Sequence, residues 1–466
     1  MNLLTIFDLG FLVVFSLFLI IFLYSRRKNL DREGIMYLYR TKWGIKLINY
    51  VGGKYKKTLK VLSYFSVTLG YILMGTMLYL FGKIVYIYIA YPQIVREIKI
   101  PPIMPLVPYL PQIFKLDFLP PFYFTYWIII IAIIAVTHEF SHGIFAKYNK
   151  IKVKSTGFGF LGPFLAAFVE PDEKQMKKKS IFAQLSILSA GTFANVLTAI
   201  FFLAILILVF FTGFVASGVV FDSYSYSIVP ISAITAINGI SVGNQDYNSF
   251  LKEIENKTIY NLTTDNKSYL GIEGFFSNSK DYVKLYDNAP AINAKLVGAI
   301  TKINSVKIKN IDELKIELDK YEVGGSISIE TEISDEVKEY QITLEKHPNG
   351  DSVWLGIGFV KKEGSGIISN AYNKLSSFRE DYVYYKAKNS FVIFIYNLLW
   401  WIILISISVA LVNMLPLGIF DGGRVFYLTF FAILKDENKA KKVFSWMTGF
   451  LLLLLLVLMF FWIFSF

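Results

Sequence analysis

Residues 138–142 read His-Glu-Phe-Ser-His. Two imidazoles stand four positions apart, with a carboxylate beside the first. Positions four apart share one face of a helix, so both rings can reach a single ion, and Glu139 can touch a water on that ion. The chemistry this pattern suggests is hydrolysis assisted by zinc, with His138 and His142 as ligands and Glu139 as general base. The motif ends one of the most apolar runs in the chain, FYFTYWIIIIAIIA. Two histidines and a glutamate are costly to leave unpaired in hydrocarbon, and a bound Zn2+ ion would compensate them. The competing reading is a pair of helix histidines hydrogen-bonded to neighbouring helices, with Glu139 as a polar plug. There is no cysteine, so disulfides and thiolate metal sites are excluded.

A catalytic zinc takes three protein ligands and keeps a fourth position open. The one remaining histidine, His347, lies in a polar region, so the third ligand should be an acid at membrane depth. Asp8, near the start of the first apolar run, is one candidate. Asp421, in NMLPLGIFDGGR at 413–424, is the other. Pro416, Gly418, Gly422 and Gly423 interrupt the apolar pattern there, and irregular backbone at membrane depth is tolerated where protein or a wet cavity surrounds it. Asp421 falls at the same depth as the two histidines, toward the cytoplasmic end of its span. The alternative is an exposed aspartate in a helix C-terminal turn.

The elements that must position these groups are membrane spans. The chain has 466 residues, 55% of them hydrophobic, with mean hydropathy +0.50. That balance fits a polytopic α-helical membrane protein. Six stretches reach the length of about 20 residues needed to cross a bilayer: approximately 3–23, 61–91, 122–146, 183–213, 390–412 and 444–465. Arg26, Arg27 and Lys28 follow the first, which reads as an uncleaved anchor. Residues 24–60 carry eleven Lys/Arg against two acids, and 147–182 carry eight Lys against three acids. A third basic link, 435–443, holds four lysines, whereas residues 214–389 carry nineteen Lys/Arg against twenty-three Asp/Glu. The positive-inside rule puts the basic loops in the cytoplasm, with the large insert and both termini outside. The net charge of +12 is thereby a topology signal, and no nucleic-acid partner is expected. The organisation expected is a membrane region at 1–213, an extracytoplasmic domain at 214–389 and a membrane region at 390–466.

HExxH late in one span, with N-x-L-P-x-x-x-x-D-G-G in a later one, resembles the site-2 protease family of intramembrane zinc metalloproteases. AGTFAN, with Gly191 and Asn195, is similar to the family's G-x-x-x-N pattern in the span between. GFGFLGPFLAAFVEPDE at 157–173 resembles its membrane-associated hairpin, and IPPIMPLVPYLP at 100–111 a loop common in archaeal members. The resemblance implies one zinc ion per chain on His138, His142 and Asp421, with Glu139 as base. It implies that Asn195 and Asn413 orient substrate or the reacting water; an interhelical hydrogen bond is the plainer role for either. The partners it implies are single-pass transmembrane substrates, an upstream protease that trims them, and the lipid bilayer.

Within the insert, AITAINGISV at 233–242 and AITKINSVKI at 299–308 repeat at a spacing of 66, each before an amphipathic stretch, YNSFLKEI and IDELKIEL. YLGIEGF at 269 and WLGIGF at 354 correspond at 85, so the second copy should carry an extra piece, the hairpin within 324–347. Residues 287–318 resemble a protease-associated PDZ domain, with Lys295 where that family usually has Gly. The first copy, roughly 214–268, reads as a degenerate PDZ-like half. PDZ domains bind an extended peptide at a sheet edge; the alternative is a spacer with a blocked groove. Sequons at Asn256, Asn261 and Asn266 suit an exterior location. Two other functions compete. A PDZ-bearing scaffold with structural zinc needs a closed four-ligand site. A prenyl-protein-processing protease needs a glutamate ligand, which no later span provides.

Overall fold

The computed structural model describes residues 3–464 except 35, 99–100, 103, 117, 162–163, 243–258, 266, 273–281, 334–335, 349 and 360–376. The chain divides into two units, Met1–Phe210 with Ile393–Phe466, and Phe211–Val392.

The first unit is helical. Six helices are long and apolar enough to cross a membrane. They are α1 (Leu3–Ser25), α3 (Lys56–Ala90), α4 (Phe124–Tyr148), the consecutive pair α5 (Ile181–Leu188) and α6 (Ala190–Gly213), α7 (Ser390–Val412) and α9 (Glu437–Ile463). Shorter helices lie between them, among them α2 (Ile45–Lys54) and α8 (Asp421–Leu434). The protein is thus a polytopic α-helical membrane protein with an α+β insert. Helices in lipid gain no hydrophobic drive toward one another, so their association rests on close packing and interhelical hydrogen bonds. Asp8 supplies four such bonds. From α1 its carboxylate accepts from the backbone N–H groups of Phe124 (2.8 Å) and Thr125 (2.9 Å), from Thr125 Oγ1 (2.5 Å) and from the Tyr109 hydroxyl. Asp8 therefore caps the N-terminus of α4, satisfying donors that a helix leaves unpaired. Phe124, which it caps, stands fourteen residues before His138, about 20 Å along the axis of α4, which removes Asp8 as a metal ligand for that motif.

Four antiparallel strands, β1 (Leu30–Glu33), β2 (Met36–Thr41), β3 (Val153–Leu161) and β4 (Phe164–Pro171), form one sheet in that order. The expected hairpin is its β3–β4 half; the other half comes from the loop after α1. Edge strand β4 lies against α4. Helix α2 packs its fully buried Ile48 into the same core as Phe145 and Ala146 of α4 and Val425 of α8.

The second unit contains two short strand pairs and two large sheets with separate cores. One is built from residues 226–230, 282–287, 268–272, 259–264, 234–237 and 240–241, in that order. The other orders 336–343, 326–333, 299–303, 214–219 and 383–387. Leu262, Val283 and Leu285 fill the first core and Ile300, Ile303, Ile327 and Ile329 the second. The repeat at spacing 66 has a structural basis. Asn238 and Asn304 both adopt positive φ, 51° and 43°. Each side-chain oxygen accepts from a facing backbone N–H, that of Asn261 at 2.9 Å and that of Ser328 at 2.8 Å.

Three expectations about the insert change. Strand 214–219 pairs with 299–303 and 383–387, so the first copy begins near 226 and is nested inside the second. The 326–333/336–343 hairpin is not extra, because 259–264/268–272 is its counterpart. Tyr269 lies in that hairpin, whereas Trp354 follows the later one and pairs with Glu345, so the spacing of 85 compares different elements. IDELKIEL forms the helix Ile311–Leu318, capped by Asn310. YNSFLKEI, Asn256 and Asn266 lie outside the described residues. Lys295, in place of the expected glycine, has φ 52°, the left-handed backbone that glycine adopts without strain.

Candidate active site

Helix α4 carries its motif in the last three turns. His138 and His142 are 7% and 9% exposed, and their Nε2 atoms face each other at 3.1 Å. Asp421 enters from α8. Its Oδ2 lies 3.3 Å from His138 Nε2 and 3.2 Å from His142 Nε2. The three side chains form the one group of ligand-type residues close enough to hold a metal ion among the described residues. Zinc held tetrahedrally at 2.0–2.1 Å separates its ligand atoms by about 3.3 Å, so this triangle has the size of one face of a zinc tetrahedron.

The loop between α7 and α8 explains how Asp421 reaches that point. α7 stops at Val412, and the chain turns through Pro416 to an extended Phe420 before restarting as α8. The Gly422 N–H donates to the Asn413 carbonyl at 2.7 Å. A Cβ on Gly422 would meet the Met414 carbonyl oxygen at 2.4 Å, and one on Gly423 the Leu417 oxygen at 2.2 Å. Only glycines let the loop fold this tightly under the first turn of α8. A fourteen-residue helix following the loop was not foreseen, because it is too short to register as a span.

The other ring nitrogens determine whether the rings can ligate. His142 Nδ1 lies 2.7 Å from the Ile187 carbonyl. A carbonyl only accepts, so Nδ1 carries the proton and Nε2 keeps its lone pair. His138 Nδ1 lies 3.0 Å from the Asn195 amide. Asn195 is fully buried, and its Oδ1 is without a hydrogen-bond partner among the described residues. Turned to His138, that oxygen would accept from Nδ1 and free Nε2 for a metal. The donor set, two imidazoles and a carboxylate with a buried polar atom behind one ring, fits zinc.

Glu139 and Asn413 line a cavity of about 770 Å³ that includes His138, His142 and Asp421. Glu139 Oε2 accepts from the Val169 N–H of edge strand β4 at 3.0 Å, so helix and sheet edge meet beside the three ligand-type side chains. The Asn413 amide makes no hydrogen bond among the described residues, whereas Asn195 does not line the cavity and bonds the His138 ring instead. Gly191, at the start of α6, packs directly against the two histidine rings. A Cβ there would lie 2.5 Å from both Nε2 atoms. The Val169 and Ile187 contacts were invisible beforehand, since backbone groups carry no residue-type signature.

Comparison with known proteins follows the same region. The family model described as Peptidase family M50 matches residues 126–456. An uncharacterized protein of Methanocaldococcus jannaschii is 31% identical over 271 residues, covering 55% of this chain and 68% of that protein. Part of the chain is similar to the PDZ domain of an SdrC-like protein from Listeria monocytogenes. That likeness has 21% identity and a TM-score of 0.14, and covers 16% of this chain and 78% of the domain; it is too slight to bear on the fold.

Proposed function

This chain belongs to peptidase family M50, the site-2 protease family of intramembrane metalloproteases, and from that premise we propose that it hydrolyses peptide bonds within or beside the transmembrane helix of membrane-anchored proteins. The observation that carries the reading is the triangle of His138, His142 and Asp421, with edges of 3.1–3.3 Å, opening on a cavity that also contains Glu139. A closed structural site would have no use for that opening, which favours proteolysis over a scaffold role.

In this proposal His138, His142 and Asp421 hold zinc. When bound, zinc supplies a positive charge that polarises a peptide carbonyl and acidifies water. The chain's own residues do the rest. Glu139 Oε1, the oxygen not held by Val169, takes a proton from the attacking water as its oxygen bonds to the scissile carbon. Glu139 returns that proton to the amide nitrogen as the C–N bond breaks. Asn413 offers an amide to the substrate in the same cavity. Asn195 fixes the His138 tautomer from behind.

A helical carbonyl is already hydrogen-bonded and shielded, so the substrate helix must open locally. Edge strand β4 holds the opened segment by backbone pairing. Val169 turns its N–H away from β3 toward Glu139, and strand alternation directs the backbone groups of Ala167 the same way. The basic loops lie in the cytoplasm, which sets the site toward that side of the membrane. Substrates arrive already trimmed by another protease, and the 214–389 domain excludes untrimmed ones. Excising that domain should then allow untrimmed substrates to be cut; unchanged selection would remove this part.

The test of the reading is Glu139→Gln in the full-length protein with zinc content measured alongside cleavage of a model transmembrane peptide. Retained zinc with cleavage reduced at least about 100-fold is expected. Cleavage at the parental rate would exclude Glu139 as the base.

A further inference from the structure

Away from the triangle, the lysine-rich loops form a concave surface. Lys42, Lys56, Lys147, Lys150, Lys152 and Lys154 line a cavity of about 750 Å³. Lys56 and Lys150 also line an adjoining cavity of about 540 Å³, which adds three more lysines. Neither is lined by an aspartate or glutamate. Among the described residues, the ion pair these lysines make is Lys154 with Asp172, at 4.0 Å. Like charges gathered in a concavity raise its potential and attract a counter-ion.

The position of the cavities says which counter-ion. Lys56 begins the span Lys56–Ala90, Tyr148 ends the span Phe124–Tyr148, and Lys179 and Ser180 directly precede the span that begins at Ile181. Three spans thus emerge at this surface, which is where lipid headgroups lie. Helix α2 borders the larger cavity through Ile45, Asn49, Gly52 and Gly53. It and the turn before it expose Trp43 (67%), Leu47 (54%) and Tyr50 (54%), apolar and aromatic side chains suited to the headgroup boundary. We propose that the double cavity is a binding site for the phosphate-bearing headgroup of an anionic lipid. The lysines supply the charge and α2 the apolar contact with the lipid's glycerol and upper chain.

The test uses the full-length protein in detergent micelles doped with phosphatidylglycerol or with phosphatidylcholine, and measures lipid retained per chain. The parent protein should retain phosphatidylglycerol in preference. Each lysine beside an anionic surface contributes about fivefold to binding, so Lys56→Gln/Lys150→Gln/Lys152→Gln should weaken retention on the order of 100-fold. The matching Lys→Arg triple should keep it. Lys439→Gln/Lys441→Gln/Lys442→Gln makes the same charge change outside the cavities and should leave retention nearly unchanged. Equal loss in both Gln triples, or no preference for phosphatidylglycerol, would overturn the site. Saturable uptake of inorganic phosphate as tight as that of the lipid would assign the cavity to a soluble anion and overturn the lipid assignment.

Discussion

Replacing Gly191 with alanine is a one-carbon perturbation with a large expected effect. The added Cβ would lie 2.5 Å from His138 Cε1, His138 Nε2 and His142 Nε2. Carbon contacts settle at about 3.5 Å, so the rings and the helix must separate by roughly 1 Å. A metal site tolerates errors of only about 0.2 Å in its ligand distances. Perturbing groups behind the ligands already weakens metal binding by about 10–100-fold, and a methyl group beside the ligand atoms should reach the upper end, about 100-fold or more. The same substitution favours the helix by about 1 kcal/mol, because glycine is the poorer helix former. The two effects have opposite signs and separate experimentally. Zinc affinity in chelator-buffered titrations should collapse, while the melting temperature of the metal-free protein should hold or rise. Unchanged zinc affinity would refute the placement of Gly191 against the ligand atoms. A large fall in the metal-free melting temperature would refute the claim that the contact is with the site rather than with general packing.

Asp8→Ala removes four hydrogen bonds at the start of the metal-motif helix. Each buried donor left unpaired costs about 1–3 kcal/mol, so thermal unfolding in detergent should move down by several degrees, with partial recovery in Asp8→Asn; no shift would remove the capping role. Lys295→Gly relieves a left-handed backbone and should stabilise the insert by roughly 1 kcal/mol, read as a higher insert melting temperature; a lower one would contradict it. Glu317 is buried, and hydrogen bonds from Lys320 and then Tyr321 hold its carboxyl below the ordinary glutamate range. A depressed carboxylate stabilises the fold above the unfolded value near 4.3 and loses that contribution as pH falls through the folded value. Insert stability should therefore decline below about pH 4.3, and less steeply in Glu317→Gln; equal slopes would show that Glu317 does not carry the effect.

The spans were legible because hydrophobic length is a one-dimensional property. Each of the six helices that can cross a membrane was foreseen as an apolar stretch. His138, Glu139 and His142 were legible because helical spacing converts sequence distance into spatial distance. Asp421 was legible because few acids occur at membrane depth. Asp8 was equally conspicuous there, and only coordinates place Asp8 at the start of α4 and Asp421 beside the two histidine rings. Strands 30–33 and 36–41 escaped notice because 36–41 alone joins them to 153–161, a pairing that spans more than a hundred residues and that nothing local announces. In the insert, the Asn238/Asn304 repeat was visible, but the nesting was not. Strand 214–219 reaches across an entire intervening sheet to pair with 299–303, a choice made by the Ile300 core rather than by any turn signal.

Zinc content measured across two proteins tests the central claim most directly. Full-length parent protein, purified without added chelator, should contain one zinc ion per chain. Asp421→Ala, which leaves His138 and His142 in place on one helix, should lose most of that zinc and all cleavage of a transmembrane peptide. Zinc retained at the parental level and affinity in Asp421→Ala would contradict the account, because the ion would then not depend on the second helix.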